Sequence, residues 1–181
     1  MRSRSGIAAV VLAVLTIASL TGCDQAATPA VSPALRSQPD PVRERIWSLT
    51  RDGVSVQMGA RPGKTMVELP GWVWARTPWA CPPDLALGPN GEAVVTSNVV
   101  PTLWKINPET LAVTVHPLQV DTQMEIGFSQ LVYSKEQGAF IAVSDTYGAR
   151  WKVDAELTRA QKLARDSIDV SLNGEATCAT N

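Results

Sequence analysis

The chain has 181 residues, 16 basic and 17 acidic side chains, one histidine, 45% apolar residues and a formal charge of −1. Its lysines and arginines are scattered singly, leaving no basic stripe to neutralise phosphates, so nucleic acid is not an expected partner. The length and apolar content suit one ordinary domain with a real core.

The first 22 residues read as an export signal. Arg2 and Arg4 supply a positive start, Ile7 to Leu20 is almost wholly apolar, and the small residues Thr21 and Gly22 precede Cys23. The apolar run is about 14 residues, whereas a spanning helix needs roughly 20. It therefore predicts a signal rather than a permanent span, and no later segment approaches spanning length. The motif Leu20-Thr21-Gly22-Cys23 resembles the lipobox of bacterial lipoproteins. That resemblance implies a diacylglycerol-modified Cys23 thiol, cleavage before Cys23, and acylation of the new amino group. Several acyl chains hold firmly, since each buried methylene contributes about 0.8 kcal/mol. It also implies a periplasm-facing domain anchored in the bacterial cell envelope, with Asp24 favouring the inner over the outer membrane. Cleavage removes two arginines, which leaves 159 residues and a charge near −3.

Residues 23–42 read as the lipidated cysteine and a tether. The run "DQAATPAVSPALRSQPDPV" has four prolines and no apolar periodicity, so it buries too little surface to offset ordering and favours an extended spacer. Residues 43–181 then form the folded domain. With Cys23 acylated, Cys81 and Cys178 remain as an even pair in an oxidising compartment, and a disulfide between them is expected. Such a bridge would close a loop of nearly the whole domain, for about 4 kcal/mol in the chain-entropy picture. Two buried or free thiols are the alternative.

The domain reads as β-structure. Short runs such as Ala93–Thr96, Leu111–Val115 and Phe140–Val143 alternate with turn signals, of which Asn90-Gly91 and Asp52-Gly53 are the strongest. Shifting the chain by 47 residues lays "GEAVVTSNVVPTLWKIN" (91–107) over "GAFIAVSDTYGARWKVD" (138–154). Gly91/Gly138, Ser97/Ser144, Trp104/Trp151 and Lys105/Lys152 coincide. A degraded third copy begins at "RIWSLTRDG", with Trp47 over Trp104 and Leu49 over Ile106. Four short strands per roughly 45 residues is the size of a propeller blade. The unit resembles the blades of NHL-type and related six- or seven-bladed bacterial propellers, in which a segment like "LWKINPET" forms the third strand and its turn. Over residues 44–163 this implies an all-β fold of about three blade-like, four-stranded antiparallel units, partial or small propeller-like. A small β-sandwich or barrel is the alternative. Closed propellers typically need at least four blades. The units would therefore form an open stack or part of an oligomeric ring, or the tail 164–181 would return to the first unit, fastened by Cys178 on Cys81.

The segment "PGWVWARTPWACPPD" (70–84) holds Trp72, Trp74 and Trp79 among four prolines. It reads either as an aromatic platform for sugars or a partner's apolar surface, or as a cover for one end of the core. Trp72 and Trp74 would share one face of a strand, although the prolines demand an edge or an ordered loop. Trp47, Trp104 and Trp151 are assigned to equivalent packing slots in the repeats. His116 ends a strand with no serine elbow beside it, so neither it nor any other residue is assigned a catalytic role. Asp84, Asn98 and Asp145 lie at strand ends where a propeller would build a metal site, but Asn98 and Asp145 are repeat-equivalent turn positions. No P-loop or dinucleotide fingerprint occurs, and no metal or cofactor is expected.

The leading reading is a membrane-tethered, non-enzymatic binding module whose partner is an envelope protein or a glycan. The alternatives are a glycan- or small-ligand-binding lipoprotein, and a propeller-like metal-dependent hydrolase or lactonase.

Overall fold

The computed structural model describes residues 32–60, 63–76, 81–120, 127–144 and 148–164, so the signal segment, Cys23, Trp79, Asp145 and Cys178 lie outside the described residues. The strands are β1 (Arg36–Asp40), β2 (Arg45–Thr50), β3 (Gly53–Met58), β4 (Thr65–Val67), β5 (Leu85–Leu87), β6 (Ala93–Val95), β7 (Thr102–Ile106), β8 (Val113–Pro117), β9 (Gln119–Val120), β10 (Gln130–Ser134), β11 (Ala139–Ser144), β12 (Ala149–Val153) and β13 (Arg159–Lys162). They form three sheets in the orders β1-β2-β3-β4, β5-β6-β7-β8 and β10-β11-β12-β13-β9. Neighbouring strands are antiparallel except β9, which runs parallel to β13 and so ties the end of the second sheet to the outer edge of the third. This is the all-β, three-blade arrangement expected from the repeats.

Burial explains the strand chemistry. The run Ala93-Val94-Val95 is wholly buried because β6 lies in the middle sheet, with both faces covered. Its odd and even side chains therefore enter different cores. Ala93 and Val95 join Trp47, Leu49, Val54, Trp104 and Ile106 between the first and second sheets. Val94 joins Leu103, Phe128, Leu131, Phe140 and Trp151 between the second and third. Fully burying one such side chain contributes roughly 1.5–3 kcal/mol, so these two layers dominate the stability.

The 47-residue repeat holds at the level of register. Val95 faces Trp104 and Val94 faces Lys105, as Ala142 faces Trp151 and Ile141 faces Lys152. The turn after each tryptophan strand is also shared. Asn107 Oδ1 accepts from the backbone N–H of Glu109 (2.8 Å) and Thr110 (2.9 Å), and Asp154 Oδ1 accepts from Thr158 N–H (2.6 Å). Each turn closes through a left-handed leucine, Leu111 or Leu157, both at φ 58°. That conformation costs a branched residue about 1–2 kcal/mol, and Leu157 offsets it by burying its side chain, 1% exposed. Asn90-Gly91 makes the expected hairpin turn between β5 and β6, with Gly91 at φ 79°.

Two expectations are corrected. The domain begins before residue 43: Arg36–Asp40, read as tether, is β1, paired in register with β2 from Arg36↔Leu49 to Asp40↔Arg45. Pro39 is tolerated because β1 is an edge strand. The segment escapes a hydrophobic scan because it is held by backbone ladders and by Asp40, whose buried carboxylate accepts from Arg45 Nε at 3.1 Å. The third repeat copy is also out of phase. Trp47 lies on the second strand of its sheet, whereas Trp104 and Trp151 lie on the third strands of theirs. Trp47 meets Trp104 in one core from the opposite side rather than occupying an equivalent slot. Two matching residues were too few to set the phase.

The three sheets meet at Asp84, immediately before β5. β5 lies against β1 on one side and β10 on the other. Asp84 Oδ1 accepts the backbone N–H of Leu85 (2.8 Å), and Oδ2 accepts that of Leu131 in β10 (2.9 Å). Arg36 of β1 places Nε 3.1 Å from Oδ1, as an ion pair rather than an aligned hydrogen bond. Burial pushes the Asp84 carboxyl above its ordinary range, while the Leu131 N–H, Arg36 and the Leu85 N–H draw it back. One side chain thus joins the first strands of all three sheets. Asp84→Ala leaves two backbone donors unpaired, and each buried unsatisfied group costs about 1–3 kcal/mol. Urea denaturation should show a loss of about 2–4 kcal/mol, with hydrogen-exchange protection falling at Leu85 and Leu131 before it falls elsewhere.

Candidate functional site

Strands β1, β5 and β10 all start at one end of the stack, as the Asp84 contacts require. Because neighbouring strands alternate in direction, the segments 51–52, 68–76, 81–84, 96–101 and 127–129 gather at that same end. The segment Glu68–Arg76 there contains Trp72 and Trp74. It is an irregular loop rather than the strand edge that would put both rings on one pleated face. Gly71, at φ 65°, makes the turn that lets Trp72 N–H donate to Leu69 O (3.1 Å).

The loop is fastened by the residues that follow β6. Trp72 Nε1 donates to Thr96 O (2.9 Å), and Ser97 Oγ donates to Val73 O (2.6 Å). Asn98 Oδ1 accepts from Ala75 N–H (2.9 Å), while Nδ2 donates to Ala75 O (2.7 Å) and Cys81 O (2.9 Å). From below, Trp104 Nε1 donates to Pro70 O (2.8 Å). These bonds make the loop a preformed surface. The chain entering the third sheet closes on the same residues: Phe128 N–H donates to Ser97 O (2.6 Å), and a Cβ on Gly127 would fall 1.9 Å from the Asn98 carbonyl carbon. Only glycine fits there.

Trp72 and Trp74 stack with centroids 6.0 Å apart and planes 28° from parallel. Their roles differ. Trp72 is half-buried against the first core layer and its indole N–H is spent on Thr96, so it is mainly a packing residue. Trp74 is half-buried on top of it, next to Val73, which is 48% exposed. The surface on offer is therefore the Trp74 ring with Val73, backed by Trp72. Such a surface supplies apolar area and a π-face for stacking, but no proton donor or nucleophile.

The other expected site residues are placed as follows. Cys81 is buried, 3% exposed, at the base of the same loop. Asp84 and Asn98 lie near one another in the chain path, but both direct their side-chain atoms to backbone partners. Among the described residues, no group of three or more His, Cys, Asp or Glu side chains is placed to hold a metal ion. Trp47, Trp104 and Trp151 are core residues, 0–2% exposed. His116 stands on β8 opposite Leu103 and is half-buried. Burial lowers its pKa, Lys105 lowers it further, and Asp154 opposes both. A depressed histidine means that the unfolded chain takes up the proton first. Stability should therefore fall as pH drops below the ordinary value near 6.5. Thermal melts between pH 7.5 and 5.5 should show this loss in the wild type and a flatter profile in His116→Gln.

Sequence reasoning missed the clamp role of Thr96-Ser97-Asn98. The signal was present in the shared Ser97/Ser144, which entered only as a repeat identity, and in Asn98, which was read as a turn position. It also missed a cleft of about 180 Å³ at the opposite end, between the first and second sheets, walled by Val56, Met58 and Leu111. There the buried Arg45 donates Nη1 to Pro108 O (2.6 Å) and pairs with Asp40, its guanidinium carbon 4.8 Å from the Trp47 ring centroid. Arg43 pairs with Glu109 at 2.7 Å. Each of the two cations is paired with a carboxylate, while Arg45 Nη2 is buried without a hydrogen-bond partner among the described residues.

No protein family and no curated protein matches the chain. Among solved structures, it is similar to a catalytically inactive virginiamycin B lyase from Staphylococcus aureus, solved with quinupristin. The TM-score is 0.51 at 12% identity, and the match covers 73% of this chain but 41% of the lyase. The likeness shows the fold: the domain is a β-propeller-like stack of blades, less than half the length of that lyase.

Proposed function

We propose that this is a lipid-anchored protein of the bacterial cell envelope whose blade stack binds a partner without catalysing a reaction. The observation that carries the reading is the Trp72–Trp74 stack on a loop fixed by Thr96, Ser97 and Asn98. It is a rigid apolar surface at the end of the stack, and Ser97 and Asn98 beside it are engaged with backbone. Cys23, acylated as the lipobox resemblance implies, provides attachment, and Asp24 favours the inner membrane. The partner is an envelope component, a protein or a glycan, and Trp79, outside the described residues, is proposed to contribute with Trp72 and Trp74. A disulfide between Cys81 and Cys178 completes the proposal by tying the C-terminal tail to the base of this loop.

Two measurements test the reading. Cys23→Ser should move the protein from the membrane to the soluble fraction and remove the acyl mass from the mature N-terminus. Trp74→Ser should abolish partner cross-linking through a photoreactive group at Val73 while leaving the melting temperature nearly unchanged. Trp72→Ser should instead cost about 2–4 kcal/mol, because it opens a core layer and strands the Thr96 carbonyl. If Trp74→Ser unfolds the domain, the ring is a core residue and the binding surface is lost. Peptide mapping under non-reducing conditions that finds free thiols at Cys81 and Cys178 removes the bridge.

A second reading, an enzyme such as a metal-dependent hydrolase or lactonase, is favoured by one observation: the similar solved structure is a lyase, solved with quinupristin. Its catalytic groups would have to come from the loop end, where Asp84 and Asn98 are committed to holding backbone. Turnover of a cyclic ester by the purified chain, lost on chelation, would establish it.

A further inference from the structure

The end of the stack that presents Trp74 is also the end by which the chain enters the domain. Ser32 Oγ donates to Asp52 Oδ2 (2.6 Å) in the turn between β2 and β3, and Leu35 N–H donates to Leu49 O (2.7 Å). Leu35 packs in the same core layer as Trp72. β1 then runs from this end to the opposite one. The loop Glu68–Arg76, the turn at Asp52 and the entry point at Ser32 therefore share one face.

Between Cys23 and Ser32 lie eight residues, which span about 30 Å when fully extended. A domain of this size has a radius of gyration near 14 Å and is about 35 Å across. Because β1 belongs to the fold, the tether is less than half as long as residues 23–42 would make it. A chain attached at Cys23 cannot turn its far end to the bilayer, since the tether would have to pass around the whole body.

We propose that the loop end seats on the bilayer that holds the anchor, with Trp74 and Val73 entering its interfacial zone. The inference rests on the proposed lipid anchor and takes the bilayer interface, in place of a protein or a glycan, as what covers the surface described above. Tryptophan suits that zone, since its ring is apolar and its N–H remains near water. Trp74 is half-buried, its N–H takes part in none of the loop's hydrogen bonds, and Val73 is 48% exposed beside it. Among the described residues, the loop and the turn beside it carry Arg51 and Arg76 against Asp52 and Glu68. Seating is therefore driven by apolar burial rather than by anionic headgroups, and is insensitive to salt.

The test uses the mature chain from residue 23 carrying Cys23→Ser, mixed with phosphatidylcholine vesicles whose acyl chains are brominated near the glycerol. Tryptophan fluorescence should be quenched, equally at low and high salt. Trp74→Ser should weaken vesicle partitioning about tenfold, the equivalent of losing one partly buried aromatic ring. Val73→Asp, a change at an exposed site that keeps the fold, should weaken it comparably without shifting the melting curve. Absence of quenching in the parent chain, or partitioning unchanged in both variants, overturns the proposal. So does sedimentation with purified peptidoglycan without vesicle quenching. The mass of the native membrane-extracted protein reads Cys23 acylation separately. If that mass shows no lipid, the anchor reading fails while the vesicle result still decides the surface.

Discussion

Asp84 is the point through which the three sheets depend on one another. Each sheet is built on a four-stranded antiparallel meander, and apolar layers of this kind tolerate sliding, because hydrophobic contact is non-directional. A carboxylate that accepts from Leu85 on its own strand and from Leu131 on the next, with Arg36 approaching from the previous one, is directional. It sets the spacing of the inner strands, and the two core layers are packed around that spacing. Burial works against the charge, so the site is held in place by its hydrogen bonds and not by ionisation alone.

The functional surface follows from the same geometry. Once β5 and β10 are aligned, the segment after β6 lies between the loop entering the second sheet and the chain entering the third. Ser97 and Asn98 then bind both. The loop carrying Trp72 and Trp74 is rigid for this reason, and rigidity matters in a binding surface because little ordering remains to be done on contact.

Much of the architecture was legible in the sequence, and for identifiable reasons. The 47-residue repeat was readable because Gly, Ser, Trp and Lys recur at positions fixed by turn, strand end and core, and the register pairs of Trp104 and Trp151 reproduce it. β1 was not legible: its residues RSQPD carry no apolar alternation, and the strand forms only because β2 offers an edge. The phase of Trp47 was likewise hidden, since a buried tryptophan on a second strand looks the same in sequence as one on a third. At the candidate site, the aromatic cluster stood out by composition. The difference between Trp72, a packing residue, and Trp74, a presented one, depends on a hydrogen bond to Thr96 that no local pattern encodes.

The Asp84 contact also bears on how the domain comes to be folded. Its partners lie about 47 residues away on either side, Arg36 earlier in the chain and Leu131 later. A chain emerging from its N-terminus makes the first pairing only when the second sheet begins, and the other only after that sheet is complete. Contacts of such long sequence separation fold slowly, because loop-closure entropy is lost before the contact rewards it. Until β10 arrives, one oxygen of a buried carboxylate has no backbone donor, and the first two sheets remain an incomplete folding unit. The third sheet is thus the step that commits the domain, and a chain arrested before it would leave the second sheet's side of the Val94 core layer open to proteases.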